Sequence, residues 1–258
     1  MIDQQSQEPG MSAINPRPVA LITGAGKRVG AVIARELHAA GYNLALHYRH
    51  SADACAQLAA QCNATRPDST LTLRAELSEI DQLPALVDQV LSRFGRLDGL
   101  INNASAFYAT PAGSASLAQW NELFASNAQA PFFLVQAALP ALRQSQGAIV
   151  NLIDIYAERA LRDHPLYVMA KAALAAMTRT LAADLGPTVR INGIAPGAVL
   201  WPSEGKAATA QQAMIAATPL QRIGTPEDVA RTALWLLRDA PFVTGQIITV
   251  DGGRSLPL

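Results

Sequence analysis

Tyr167 and Lys171 stand four residues apart in the run Pro165-Leu166-Tyr167-Val168-Met169-Ala170-Lys171-Ala172. In a helix that spacing projects both side chains from one face, a turn apart. An ammonium near a phenol favours the phenolate, so the pair is expected to lower the tyrosine pKa from its usual value of about 10 and give a proton donor near neutral pH. Alone, the spacing suits a packed tyrosine beside a solvated lysine equally well. A second chemical feature lies far upstream, where Thr23-Gly24-Ala25-Gly26-Lys27-Arg28-Val29-Gly30 separates an aliphatic run from a helical pattern. Glycines allow a tight turn and close backbone approach, and a helix N-terminus offers unpaired N–H groups and partial positive charge to a pyrophosphate. Gly24, Lys27, Arg28, Val29 and Gly30 are therefore candidate nucleotide contacts.

The next strand candidate ends in His47-Tyr48-Arg49-His50-Ser51, with no carboxylate before Asp53. A site that holds a free ribose 2′-hydroxyl wants an acidic residue there, as NAD sites have. A 2′-phosphate, and so NADP, suits this segment better: Arg49 can make charge-assisted bonds to phosphate oxygens, and Ser51 can donate a hydroxyl or a backbone N–H at a helix start. His47, Tyr48, Arg49, His50 and Ser51 are the expected contacts, against the alternative of a solvated basic turn.

Such residues need a scaffold that collects them on one edge. Strand-like runs at 19–23, 43–47, 70–74, 99–102, 148–153, 189–194 and 246–250 alternate with helical windows at 29–40, 52–62, 79–94, 117–143, 165–185, 208–217 and 226–237. That alternation predicts an α/β fold: a doubly wound, Rossmann-like parallel sheet of about seven strands in a single domain. Ser78 with Asp81, and Thr225 followed by Pro226, Glu227 and Asp228, read as helix starts. Right-handed crossovers put the carboxyl ends of the strands on one edge. The crevice is then lined by 24–30, 48–51, 76–77, 103–108 and the segment from Asp154, with 196–201 closing it.

Composition narrows the function further. The 258 residues are half apolar and 16% charged, with 20 basic and 20 acidic residues, so no overall charge attracts nucleic acid or an anionic membrane. Residues 1–17 lack the basic and apolar regions of a secretory signal and read as a flexible arm before a domain at 18–258. No apolar run reaches the ~20 residues of a membrane span, and the cytoplasm is the default location. Cys55 and Cys62 suit buried thiols in a reducing compartment, and no histidine or further cysteine lies near enough in sequence to suggest a metal site.

Taken together, the glycine loop, Asn102-Asn103-Ala104, Asn127, Tyr167 with Lys171, Pro196-Gly197 and Asp251-Gly252-Gly253 make the chain resemble the short-chain dehydrogenase/reductase family from Val19 to about Leu256. The resemblance implies that Tyr167 is the acid, that Lys171 holds the nicotinamide ribose and tunes Tyr167, and that Asn127 supports a proton-relay water. It also implies that Asn103, Ala104, Pro196 and Gly197 lie along the cofactor, with Leu77 and Glu76 near the adenine, although Glu76 stands where relatives usually have aspartate. A homotetramer built on 117–143 and 165–185 is implied as well.

Two departures make the chain look like the pteridine reductase branch. Arg28 replaces a loop glycine, and Asp154 replaces the catalytic serine thirteen residues before the tyrosine. Ser105 and Phe107 match positions that contact and stack on a pterin in that branch. The chemistry agrees, because a serine hydroxyl donates to a substrate carbonyl whereas an ionised Asp154 only accepts and would repel an oxyanion. A pterin offers amino and N–H donors to Asp154, a flat face to Phe107 and a carbonyl edge to Arg28. Singly, Phe107 is open to a core or lid role, Arg28 to pyrophosphate contact only, and Asp154 to capping a loop. Residues 198–218 read as a substrate flap, in which Trp201 is a lid or a packing anchor. The expectation is NADPH-dependent reduction of a small-molecule pterin. Reduction of a 3-oxoacyl or sugar ketone is the enzymatic alternative, and a nucleotide-sensing module without chemistry is the alternative of another class.

Overall fold

Seven short runs of aliphatic residues, most with both faces buried, line up in one sheet of order β3-β2-β1-β4-β5-β6-β7. The computed structural model describes residues 17–200 and 208–256. The strands are β1 (Val19–Ile22), β2 (Asn43–Tyr48), β3 (Thr70–Arg74), β4 (Gly99–Asn102), β5 (Ala148–Leu152), β6 (Arg190–Pro196) and β7 (Ile247–Val250). All six pairings are parallel, with Leu21 opposite Ala45 and Leu100, for example. Parallel neighbours need crossovers, and the helices that supply them cover both faces. They are α1 (Arg28–Ala39), α2 (Ala52–Thr65), α3 (Leu83–Phe94), α4 (Leu117–Phe124), α5 (Ala130–Ser145), α6 (Pro165–Leu185), α7 (Ala208–Ala216) and α8 (Pro226–Leu234).

Alternate side chains of β1 divide between two cores. Ala20 and Ile22 pack with Ile33 and Leu37 of α1 and Val229 of α8, while Val19 and Leu21 pack with Leu86 of α3, Leu134 of α5 and Leu185 of α6. Each large aliphatic side chain removed from water in this way contributes about 1.5–3 kcal/mol. The thiols of Cys55 and Cys62 are free and buried on α2. Among the described residues no helix is long and apolar enough to cross a membrane.

On the sheet face that carries α3, α5 and α6 runs a polar ladder. Asn102 Nδ2 donates to Asn151 Oδ1 at 2.8 Å, Asn151 Nδ2 to Thr178 Oγ1 at 2.9 Å, and Thr178 Oγ1 to the Leu174 carbonyl at 2.8 Å. All three residues are buried, and the ladder joins β4 and β5 to α6.

Three local expectations are corrected. The window 117–143 is not one α-helix, because a π-helical turn over Ala125–Gln129 separates α4 from α5 and carries Asn127. A second such turn, Trp235–Asp239, ends α8. Ser78 does not cap a helix: a short 3₁₀ turn at Ile80–Gln82 intervenes, and α3 starts at Leu83 with no side-chain cap. Thr225 does cap α8, in a reciprocal box with Asp228. Residues 1–16 of the expected arm at 1–17, and Trp201 with the adjoining flap residues to 207, lie outside the described residues.

Candidate active site

The glycine loop is hung from three strands. Thr23, buried at the end of β1, accepts at Oγ1 from the backbone N–H groups of Asn103 and Ala104 at 2.9 and 3.0 Å. Asn103 Nδ2 returns hydrogen bonds to the carbonyls of Thr23 and Gly24 at 2.8 and 3.1 Å. On the other side, His47 Nδ1 accepts from Gly24 N at 3.3 Å and its Nε2 meets the Ala75 carbonyl at 3.1 Å. Those two contacts assign the proton to Nε2, and burial pushes the imidazole pKa down, which keeps the ring neutral. His47 thus braces the loop from its buried position. His47 also lines the cleft, whereas Tyr48 packs against the core beside α1 and α2 and is not among the lining residues.

Gly24 has φ +64°, and a Cβ at Gly30 would collide with the Gly24 carbonyl and the Asn103 amide. A Cβ at Gly26 would come within 2.7 Å of Ser51 Oγ. No side chain caps the first turn of α1 or of α2. The loop is thus a shallow cradle beside helix N–H groups, and it fits a dinucleotide pyrophosphate. Gly24, Lys27, Arg28, Val29, Gly30, Arg49, His50, Ser51, Glu76, Leu77, Asn103, Ala104 and Ser105 all line the same cleft. Arg49 does not stand alone there, because its Nε lies 2.6 Å from Glu76 Oε2.

Arg28, Val29, Asn103, Ser105 and Phe107 also line an adjoining cavity, which Asp154, Tyr167, Lys171, Pro196 and Gly197 complete. Asp154 follows β5, and Tyr167 and Lys171 share the inward face of α6, so strand end and helix converge. Tyr167 Oη donates to Asp154 Oδ2 at 2.7 Å. The other carboxylate oxygen accepts from the Tyr156 N–H at 3.0 Å, so Asp154 both caps a turn and holds the phenol. Lys171 Nζ donates to the Leu152 carbonyl at 2.7 Å and sits 5.8 Å from the centre of the Tyr167 ring.

The expected lowering of the phenol pKa is not what this arrangement gives. Burial raises the Tyr167 pKa, and the Asp154 carboxylate raises it further through charge and hydrogen bond. Lys171 is itself buried and pushed down to about 8, and its ammonium is aimed at a carbonyl rather than at the phenol oxygen. Burial likewise raises the Asp154 pKa, against the opposing pull of the Tyr156 N–H, Tyr167 and Lys171. The result is a phenol that keeps its proton near neutral pH.

Asn127 is also buried, with Oδ1 accepting from Ser105 Oγ at 2.6 Å and Nδ2 donating to the Leu123 and Ala106 carbonyls at 2.9 and 3.0 Å. Phe107 is 55% exposed, stacks on His164 with centroids 4.8 Å apart, and meets the Tyr167 ring edge-on at 4.7 Å.

Sequence reasoning missed four contributors. Thr23 links β1 to β4, Ser126 lines the nucleotide cleft, the Leu152 carbonyl anchors Lys171, and His164 backs Phe107. His164 is three residues before Tyr167 and Ser126 is next to Asn127, so position relative to the motifs was the available signal.

The family model described as enoyl-(acyl carrier protein) reductase matches residues 24–255. Pteridine reductase 1 of Leishmania tarentolae is 35% identical over 93% of this chain and 96% of its own length. A Streptomyces violaceoruber protein named as a granaticin polyketide synthase ketoacyl reductase is 36% identical, over 93% and 96%. The 3-oxoacyl-(acyl-carrier-protein) reductase of Staphylococcus aureus is 31% identical, over 92% and 98%.

Proposed function

The chain belongs to the short-chain dehydrogenase/reductase family and is an oxidoreductase of that kind, and from this premise we propose that it reduces pterins with NADPH. The observation that carries the reading is the 2.7 Å bond from Tyr167 to Asp154 in a cavity that Phe107 also lines. A serine at position 154 would donate to a ketone oxygen, whereas a carboxylate there accepts from an amino group or ring N–H and opposes an oxyanion.

In this reading the glycine cradle would hold the pyrophosphate, Arg49, His50 and Ser51 would hold the 2′-phosphate, and Asn103, Ala104, Pro196 and Gly197 would hold the nicotinamide half. When bound, NADPH supplies the hydride. Phe107 offers its face to the pterin ring, Arg28 reaches the carbonyl edge, Ser105 contributes a hydroxyl, and Asp154 accepts from the ring donors. Tyr167 Oη delivers its proton to N5 of a dihydropterin as C6 is reduced. Its raised pKa delays that transfer until negative charge builds on N5, which couples the two events. Lys171 favours the resulting phenolate, and Asn127 supports the water that returns a proton. With a fully oxidised pterin, Asp154 working through water protonates N8 as C7 is reduced. The enzyme is a cytoplasmic homotetramer that meets its copies through α4, α5 and α6.

Loss of NADPH absorbance with dihydrobiopterin, dihydromonapterin, dihydrofolate, biopterin and a 3-oxoacyl thioester, repeated with NADH, tests the reading. Turnover of at least one pterin or folate, faster with NADPH, is expected. Turnover of the thioester alone would instead establish ketone reduction, the reading that the ketoacyl reductase relatives favour. Sedimentation at micromolar concentration checks the tetramer.

A further inference from the structure

The pair between Arg49 and Glu76 laces the ends of β2 and β3 together at the rim of the nucleotide cleft. Glu76 Oε2 lies 2.6 Å from Arg49 Nε, and Glu76 Oε1 accepts from the Ser78 N–H at 3.3 Å, so both carboxylate oxygens are engaged. The backbone beneath is fixed as well: Ala75 N donates to the Tyr48 carbonyl at 3.2 Å, and the His47 ring holds the Ala75 carbonyl. Both residues line the cleft together with Lys27, His50 and Ser51.

The nitrogen in this pair is the inner one. The two terminal nitrogens of the guanidinium, which form the fork suited to gripping two phosphate oxygens, make no hydrogen bond among the described residues, and the closest approach to the carboxylate is through Nε. An arginine on a strand-end loop otherwise samples many rotamers, and ordering it is a cost paid on binding. We propose that Glu76 is a specificity-determining residue of the nucleotide site: by holding Arg49 through Nε it presets the guanidinium fork for a ribose 2′-phosphate that Glu76 itself does not touch.

This rests on the NADPH reading given above. Repulsion between the Glu76 carboxylate and the phosphate opposes the effect, but water screens it at a rim where the two side chains remain 51% and 32% exposed. A two-pronged grip, by contrast, depends on the orientation of the fork.

Calorimetric titration of 2′,5′-ADP and of 5′-ADP onto the wild type, Glu76→Ala, Arg49→Ala and the double variant tests the proposal without turnover. The wild type should prefer 2′,5′-ADP. Glu76→Ala should weaken that ligand roughly 3- to 10-fold, the loss expected when one long side chain must be ordered on binding, and weaken 5′-ADP distinctly less. In the Arg49→Ala background the same substitution should do nothing more, because the effect runs through Arg49. Glu76→Gln, nearly isosteric, should move in the same direction if Glu76→Ala folds poorly. A wild-type preference that survives both Glu76 substitutions, a loss that persists without Arg49, or an equal loss for 5′-ADP would overturn the inference alone. Equal wild-type affinity for the two ligands would remove the NADPH reading and this inference with it.

Discussion

Tyr167 Oη and Asp154 Oδ2 are 2.7 Å apart, joined from the start of α6 to the end of β5 across thirteen residues of chain. In the proposed pterin reading this contact makes Asp154 the residue on which substrate class turns. Asp154→Ser should lower pterin turnover by about 10²-fold, the lower range for a group acting in proton transfer, and bring ketone turnover up to a measurable level. Steady-state rates on a dihydropterin and a 3-oxoacyl thioester check both halves. An unchanged pterin rate would mean that the carboxylate is only a turn cap.

Tyr167→Phe removes the proton and keeps the ring against Phe107. Turnover should fall about 10²- to 10⁴-fold while nucleotide affinity stays near that of the wild type. Fluorescence titration with NADPH separates the two effects. Retained turnover would remove the phenol from the mechanism and would favour a role in packing.

Lys171 carries a pH signature of defined sign. Burial pushes its pKa down to about 8 from an ordinary value of 10.5. The unfolded chain therefore holds the extra proton between those values, and this residue makes stability rise with pH through that window, with the gain lost as pH falls through about 8. Chemical denaturation of wild type and Lys171→Met across that range should show the difference between them growing in favour of the wild type as pH rises. The alkaline limb of the turnover profile should fall near the same lower value, where the ammonium that supports the phenolate is lost.

Arg28 begins α1 with φ +53°, a backbone that L side chains adopt at a cost of about 1–2 kcal/mol. Arg28→Gly should raise the melting temperature while raising KM for the pterin, since the strain and the guanidinium are lost together. Melting and KM that move the same way in functional terms, both improved or both impaired, would break that account.

Much of this was legible before coordinates. Strand runs at β3 and β4 and the whole of α6 are marked by apolar period and by Pro165 at a helix start, so their limits agree with the sequence reading. The π-helical turn under Asn127 was not legible, since one extra residue in a turn leaves composition and approximate period unchanged. The acidity of Tyr167 was misjudged for a related reason. Spacing reveals the lysine one turn away, but burial and the aim of each hydrogen bond depend on segments far apart in sequence, and these decide the sign. Arg49 was identified as a cation at the right strand end, while its pairing with Glu76 required β2 and β3 to be adjacent.

The buried ladder from Asn102 through Asn151 to Thr178 has a consequence for how the proton donor is kept in place. Against an all-aliphatic seam, a long helix can settle one turn up or down, a shift of roughly 5.4 Å, with little to choose between the positions. Here such a slip would strand two carboxamides in a dry interior. The ladder works as an index pin, keying α6 to the sheet some 16 Å along the helix axis from Tyr167, at a rise of roughly 1.5 Å per residue. Reach between phenol and substrate is thereby fixed at a point remote from both.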